Sequence, residues 1–226
     1  MAISMTQTIR GMLFLGVLLF SEGVGFAGFV SDKIPEQIEL LTVELSGQSG
    51  ESGTGVIVGS QEDKKGVIVL TAAHVLEDAK EISVRFSTGE VREAKLLYAN
   101  RGMDYALLGM GEISLPVQIS YPDRRRTVGS DLFVVGYSGL FHYSVSHGIV
   151  SNYAGNLLRT DAQASFGSSG SGVWDQEGRL IGLVTQVYVE EVESGPKRYF
   201  MQRQTVAVDI LRIRVDLKEH GFTFLE

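Results

Sequence analysis

Between residues 38 and 208 the sequence is cut into short apolar segments by turn chemistry, and that interruption constrains the fold more than any other feature. Val56–Val58, Val67–Leu70, Ile82–Phe86, Ala94–Tyr98, Tyr105–Met110 and Val117–Ile119 are short and apolar, the pattern of strands rather than of helices of ordinary length. A second group follows at Asp131–Val135, Ser144–Ser151, Leu157–Thr160, Gly172–Trp174, Leu180–Val187 and Phe200–Val208. Ser87-Thr88-Gly89, Gln176-Glu177-Gly178 and Glu193-Ser194-Gly195-Pro196 punctuate them, because glycine tolerates positive φ and proline pre-sets a turn. Short strands in such succession predict an all-β fold closed into barrels, with a first barrel over about 38–120 and a second over about 127–208. Ile38–Leu45 alternates in strand fashion, and Ala72–Asp78 has room for a short helical turn. Asp209–His220, with Asp209 as N-cap and apolar residues at 210, 211, 213, 215 and 217, reads as a closing helix.

Gly167-Ser168-Ser169-Gly170-Ser171-Gly172 crowds serines and glycines into one tight turn. A serine nucleophile needs such a turn, since its hydroxyl must stand clear of the chain while nearby amides point at the oxyanion it creates. Ser169 is the candidate, and the glycine two positions before it lets the Gly167 and Ser169 amides converge. Ser165, Ser168 and Ser171 lack its Gly-x-Ser-Gly setting. A nucleophilic serine is inert without a base. The strand Val67–Leu70 runs into Thr71-Ala72-Ala73-His74-Val75, where two alanines leave the histidine room to turn inward. Thirty residues on, Asp104 heads the apolar segment Tyr105–Met110. The order His74, Asp104, Ser169 is that of one known serine-protease arrangement. His142 and His147 fall in a loop context, His220 near a helix end, and Asp161 is expected to make structural hydrogen bonds.

Thr-Ala-Ala-His-Val, Asp-Tyr-Ala-Leu-Leu and Thr160-Asp161-Ala162 leading to Gly-x-Ser-Gly together resemble the trypsin-like serine proteases of the HtrA (Deg) family. The resemblance covers about residues 40–215, including Gly53-Thr54-Gly55 and Ile181-Gly182-Leu183. It implies a chymotrypsin-like pair of six-stranded barrels and a cofactor-independent endopeptidase acting on unfolded or flexible polypeptides through an acyl-enzyme. In that reading His74, Asp104 and Ser169 are catalytic, and Gly167, Ser168 and Ser169 form the oxyanion hole. It also implies a protease domain alone, since the chain stops six residues after His220 where many members continue into a PDZ domain. HtrA-like protease domains often trimerise through an N-terminal segment, and residues 28–40 are compatible with a homotrimer.

Ser168, Ser171 and Gly172 stand where the family usually has Asn, Gly and Pro. Two other functions therefore stay open: a protease-fold binding or regulatory protein with little turnover, and a glutamyl-endopeptidase-like processing protease. Gln163 stands where a trypsin-like enzyme carries the acid that selects Arg or Lys, so the expected pocket is apolar, lined by Gln163, Ala164, Ser165, Leu183 and Val184. Ile57-Val58-Gly59 imitates an activation N-terminus but is better read as a barrel strand.

Arg10 followed by the apolar run Gly11–Phe20 and by Gly25-Phe26-Ala27 has the build of a signal peptide over residues 1–27, cleaved after Ala27. The run is too short for a permanent membrane span. Export to a periplasm or the exterior is expected, and the absence of cysteine excludes disulfides, a thiol nucleophile and thiolate zinc sites. Loss of residues 1–27 removes one charge of each sign and leaves the net charge at −7, so no broad basic face is expected for nucleic acid. Arg124-Arg125-Arg126, the one basic run, is expected to be a solvated turn. Polypeptide substrates are the expected partners, and no metal or organic cofactor is expected.

Overall fold

The computed structural model describes residues 33–47, 52–61, 66–76, 81–111, 118–138, 142–194 and 197–223. The expected signal peptide and its cleavage point at Ala27 lie outside them. The described strands close into two six-stranded antiparallel barrels. The first uses β1 (Thr42–Gly47), β2 (Ser52–Gln61), β3 (Gly66–Thr71), β4 (Ile82–Arg85), β5 (Val91–Asn100) and β6 (Tyr105–Met110). Its cyclic order is β1-β2-β3-β6-β5-β4. The second uses β7 (Asp131–Ser138), β8 (His142–Ala154), β9 (Leu157–Thr160), β10 (Gly172–Asp175), β11 (Leu180–Ser194) and β12 (Lys197–Asp209). Its order, β7-β8-β9-β12-β11-β10, repeats the path of the first. Ile57 and Val58 lie buried within β2, as a barrel strand requires.

The structure departs from the expected strands at two places. Residues 38–41 belong to a helix, α1 (Lys33–Leu41), and β1 starts only at Thr42. Ile38 and Leu41 are both buried, three residues apart on one helical face, and this packing overrides the short alternation read along the chain. The Thr42 hydroxyl donates to the Ile38 carbonyl at 2.7 Å and closes the helix end. Gln118 and Ile119 are in no strand, because β1 already supplies the sixth strand of the barrel; Ser120 makes one isolated bridge to Arg179.

All six residues of β3 and all four of β10 are buried. The larger apolar cluster fills the first barrel and continues through Trp174, Leu180, Leu183 and Val208 of the second. The helix α2 (Ile210–Glu219) adds Ile210, Ile213 and Leu217, one buried stripe worth about 1.5–3 kcal/mol per side chain. Asp209 caps it as expected, its side chain accepting the Leu211 amide. A smaller cluster that includes Leu132, Val150, Leu158, Val173 and Ile181 fills the second barrel.

Polar clasps tie these layers together. Asp216 of α2 accepts from Tyr98 and Asn100 of β5, each at 3.0 Å, and from the buried Tyr105 of β6. Burial and the adjacent carboxylate push the Tyr105 phenol far above its ordinary value, so it stays a donor. The arginine run is solvated only in part: Arg124 is exposed, and its two neighbours are paired. Arg125 pairs with Asp209 at 2.5 Å and lies over the Tyr153 ring, and Arg126 reaches the buried Asp175 at 2.8 Å. Two buried carboxylates remote in sequence claim these cations, which would otherwise remain in water.

Candidate active site

The buried strand β3 ends at Thr71, and the chain turns at Ala72 into a 3-10 turn, Ala73–Leu76, that carries His74. Ala72 and Ala73 are buried, and the smallness of their side chains lets the turn sit tightly against the barrel. Asp104 precedes β6 in the left-handed region at φ 57°, which Asp tolerates better than most residues. Its Oδ1 accepts the His74 backbone amide at 3.0 Å and its Oδ2 meets His74 Nδ1 at 2.8 Å. A carboxylate only accepts, so Nδ1 carries the proton and Nε2 presents its lone pair. That lone pair faces the Ser169 hydroxyl at 2.8 Å. The first barrel thus supplies His74 and Asp104, and the second supplies Ser169.

The turn that presents Ser169 is locked on both sides. Gly170 has φ 85°, and a Cβ there would lie 2.0 Å from the Thr54 carbonyl, so no other residue fits. The Gly170 amide donates to Val184 and the Ser171 amide to Ser168, at 2.7 and 2.9 Å. Thr54, wholly buried on β2, is a positioning residue, although in the sequence it is only one member of the glycine-rich Gly53-Thr54-Gly55. Its amide donates to the Ser169 carbonyl at 2.8 Å, and its hydroxyl donates to the Gly167 carbonyl at 3.0 Å while accepting the Tyr137 amide at 2.8 Å. No local pattern marks it, because its partners lie 83 and 113 residues away.

The amides of Gly167 and Ser169 donate to no acceptor among the described residues. Ser168 differs from expectation: its amide donates to the Ser165 carbonyl at 3.0 Å and its hydroxyl accepts the Ser165 amide at 3.1 Å. It braces the turn and contributes no free donor.

A cavity of about 590 Å³ opens beside Ser169. Ala164, Ser165 and Val184 line it as expected, joined by Val75, Phe166, Thr185, Val187 and Val189. Gln163 and Leu183 are not among its lining residues. The Gln163 carbonyl accepts from Ser146 at 2.6 Å on the barrel's outer side, and Leu183 points wholly into the core. Leu183 and Val184 are neighbours on β11 and face opposite sides, so only Val184 reaches the cavity; a β-bulge follows at Thr185, between the pairs Val184↔Ala207 and Gln186↔Val206. Phe166 is 89% exposed at the rim.

The remaining candidates lie elsewhere. His147 pairs with Asp131 at 2.9 Å, His220 caps α2, and Asp161 accepts the Ile149 amide at 2.8 Å, the structural role expected of it. Ser171 is wholly buried over Gly136, where a Cβ would come within 1.8 Å of its hydroxyl oxygen, and a Cβ at Gly172 would meet the Trp174 ring nitrogen at 2.4 Å. The two departures behind the nucleophile are therefore packed into matching spaces. Among the described residues no three His, Asp or Glu side chains are grouped to hold a metal ion, and no helix is long and apolar enough to cross a membrane.

Comparison with known proteins shows the family and the fold. The chain is 28% identical over 171 residues to a DegP-like periplasmic serine endoprotease of Pseudomonas putida strain GB-1, a match covering 72% of this chain and 35% of that protein. It is 32% identical over 173 residues to the periplasmic pH-dependent serine endoprotease DegQ of Escherichia coli K12, again 72% and 35%. The chain thus spans about a third of the length of these curated relatives. The crystal structure of the serine endoprotease from Yersinia pestis shares the two-barrel fold, with a TM-score of 0.70, 24% identity and coverage of 85% of this chain and 65% of that one. The profile of the trypsin-like peptidase domain matches residues 53–183, which hold His74, Asp104 and Ser169, and the chain belongs to that family.

Proposed function

We propose that this chain is a serine endopeptidase that works through an acyl-enzyme. The observation that carries this reading is the continuous hydrogen-bonded series Asp104–His74–Ser169, with contacts of 2.8 Å on both sides of the imidazole. Ser169 Oγ attacks the scissile carbonyl carbon as His74 Nε2 takes its proton. The Gly167 and Ser169 amides hold the oxyanion, and Asp104 holds the Nδ1 tautomer and stabilises the imidazolium. His74 then gives the proton to the departing amine, and a water activated by the same nitrogen releases the acyl group. The cavity wall is mostly apolar, with Ser165, Thr185 and Gln186 among its polar members and no carboxylate, so small or medium aliphatic side chains suit the acyl side. A glutamate there would need a cation, and His74 is the only titratable lining residue.

Unfolded or flexible polypeptides in the periplasm are the proposed substrates, in keeping with the signal-like N-terminus and the periplasmic relatives. The test is a fluorophosphonate probe read by intact mass and peptide mapping, beside casein digestion by the wild type and Ser169→Ala. Labelling confined to Ser169, with digestion lost in the variant, is expected. A folded protein that neither labels nor digests casein, with or without added unfolded peptide, refutes the proposal.

A further inference from the structure

A second, smaller cavity of about 140 Å³ lies against the same nucleophile turn. It shares Ser52 and Gly167 with the large cavity but none of its β11 wall. Its own walls are Glu44 of β1, Tyr137 and Ser138 of β7, and His142 of β8. A polypeptide whose acyl part fills the large cavity crosses Ser169 and leaves past Ser52 and Gly167. On the serine-protease reading, the residues released with the amine would lie on the side of the second cavity, which shares Ser52 and Gly167 with the first.

Its chemistry is unlike that of the first. Ser138 is 5% exposed, and its hydroxyl has no partner among the described residues, although an isolated buried hydroxyl is costly. Glu44 is partly buried, and among the described residues its only ion pair is a 3.3 Å contact from Arg85 Nε to Oε2, made by a side chain that is mostly in solvent. Burial, then the charges of Glu44 and Glu39, push the Tyr137 phenol above its ordinary value against the opposing Arg85. Liquid water takes about 30 Å³ per molecule, so the space holds a few waters or one long side chain.

We propose that this cavity is a leaving-side subsite for a lysine or arginine side chain, with the Glu44 carboxylate as counter-ion. The assignment rests on the serine-protease reading above, and the test separates the two. An acyl-enzyme made from an aliphatic ester is partitioned between water and added amino-acid amides, above the histidine titration range. In aminolysis the added amine attacks the acyl carbonyl and gives a proton to His74 Nε2, and Ser169 Oγ departs, taking that proton from His74. The ester needs nothing in the second cavity, so its hydrolysis reports the catalytic centre alone.

Lysine and arginine amides should capture the acyl group roughly five- to tenfold better than norleucine amide, the worth of a partly screened ion pair. Glu44→Gln should remove that preference while ester hydrolysis and melting temperature stay near wild type, and Glu44→Lys should turn it towards glutamate amide. Normal ester turnover without a cationic preference, or a preference that survives Glu44→Gln, overturns the subsite and leaves the protease intact. Loss of ester turnover and of Ser169 labelling in the wild type overturns both.

Discussion

Removal of one hydroxyl from the seam between the barrels should cripple both the fold and the chemistry. Thr54→Val keeps the side-chain shape but leaves the Tyr137 amide and the Gly167 carbonyl without the partner they have at 2.8 and 3.0 Å. Each orphaned buried group costs about 1–3 kcal/mol, and partial relaxation brings the sum to about 3 kcal/mol. For a chain of this size each kcal/mol moves the melting temperature by about 2–4 °C, so a fall of about 6–12 °C is expected by circular dichroism. The catalytic effect is separate. The anchored Gly167 carbonyl sets the direction of the Gly167 and Ser169 amides that flank it. Outright loss of an oxyanion donor costs about 10²–10³ in kcat, so partial loss of aim should cost roughly 10–10² with KM little changed. Thr54→Ser keeps the hydroxyl and loses only a methyl group, and it should retain kcat within about twofold at a cost near 1 kcal/mol. Wild-type kcat and melting temperature in Thr54→Val would refute the reasoning. So would a Thr54→Ser variant as damaged as the valine.

Asp104→Asn should lower kcat by about 10⁴ and slow fluorophosphonate labelling in parallel, with little change in melting temperature, because one amide cannot accept both the His74 amide and Nδ1–H. Gly136→Ala drives a methyl group into Ser171 and should cost about 1–3 kcal/mol; adding Ser171→Gly should recover most of it, a coupling readable in a thermal double-mutant cycle. Burial alone would raise the Asp216 carboxyl, but hydrogen bonds from Tyr105, Asn100 and Tyr98 and the nearby His220 hold it below its ordinary value. Its stabilisation is then complete above the ordinary carboxylate range and lost as pH falls through the depressed folded value. Asp216→Asn should lower the melting temperature near neutral pH and flatten its decline between about pH 5 and pH 3.

The parts of this architecture legible in the sequence are those encoded by neighbours. Val67–Leu70 reads as a buried strand because every position is apolar, and Ala72-Ala73 before His74 signals a tight inward turn. Asp104 and Ser169 are legible because each sits in its own short motif, and their convergence on His74 follows the expected order. What escaped depends on distant partners. Arg125 and Arg126 look solvated until Asp209 and Asp175 are brought beside them. Ile38 and Leu41 fit a strand or a helix equally over so short a run, and only packing decides. Leu183 is turned away from the cavity by strand alternation beside Val184, a phase the local composition does not mark.

The two barrels trace the same path but divide the chemistry between them, and that division has a consequence for how such a hydrolase is made. A chain synthesised from its N-terminus first completes a barrel that holds a histidine and a carboxylate but has nothing to activate. The nucleophile comes 95 residues after the histidine, and the Asp216 clasp, which joins α2 to β5 and β6, comes later still. Until the halves dock, no hydroxyl stands within reach of the imidazole. The contact between the Ser169 hydroxyl and the His74 imidazole therefore requires both barrels in their folded arrangement.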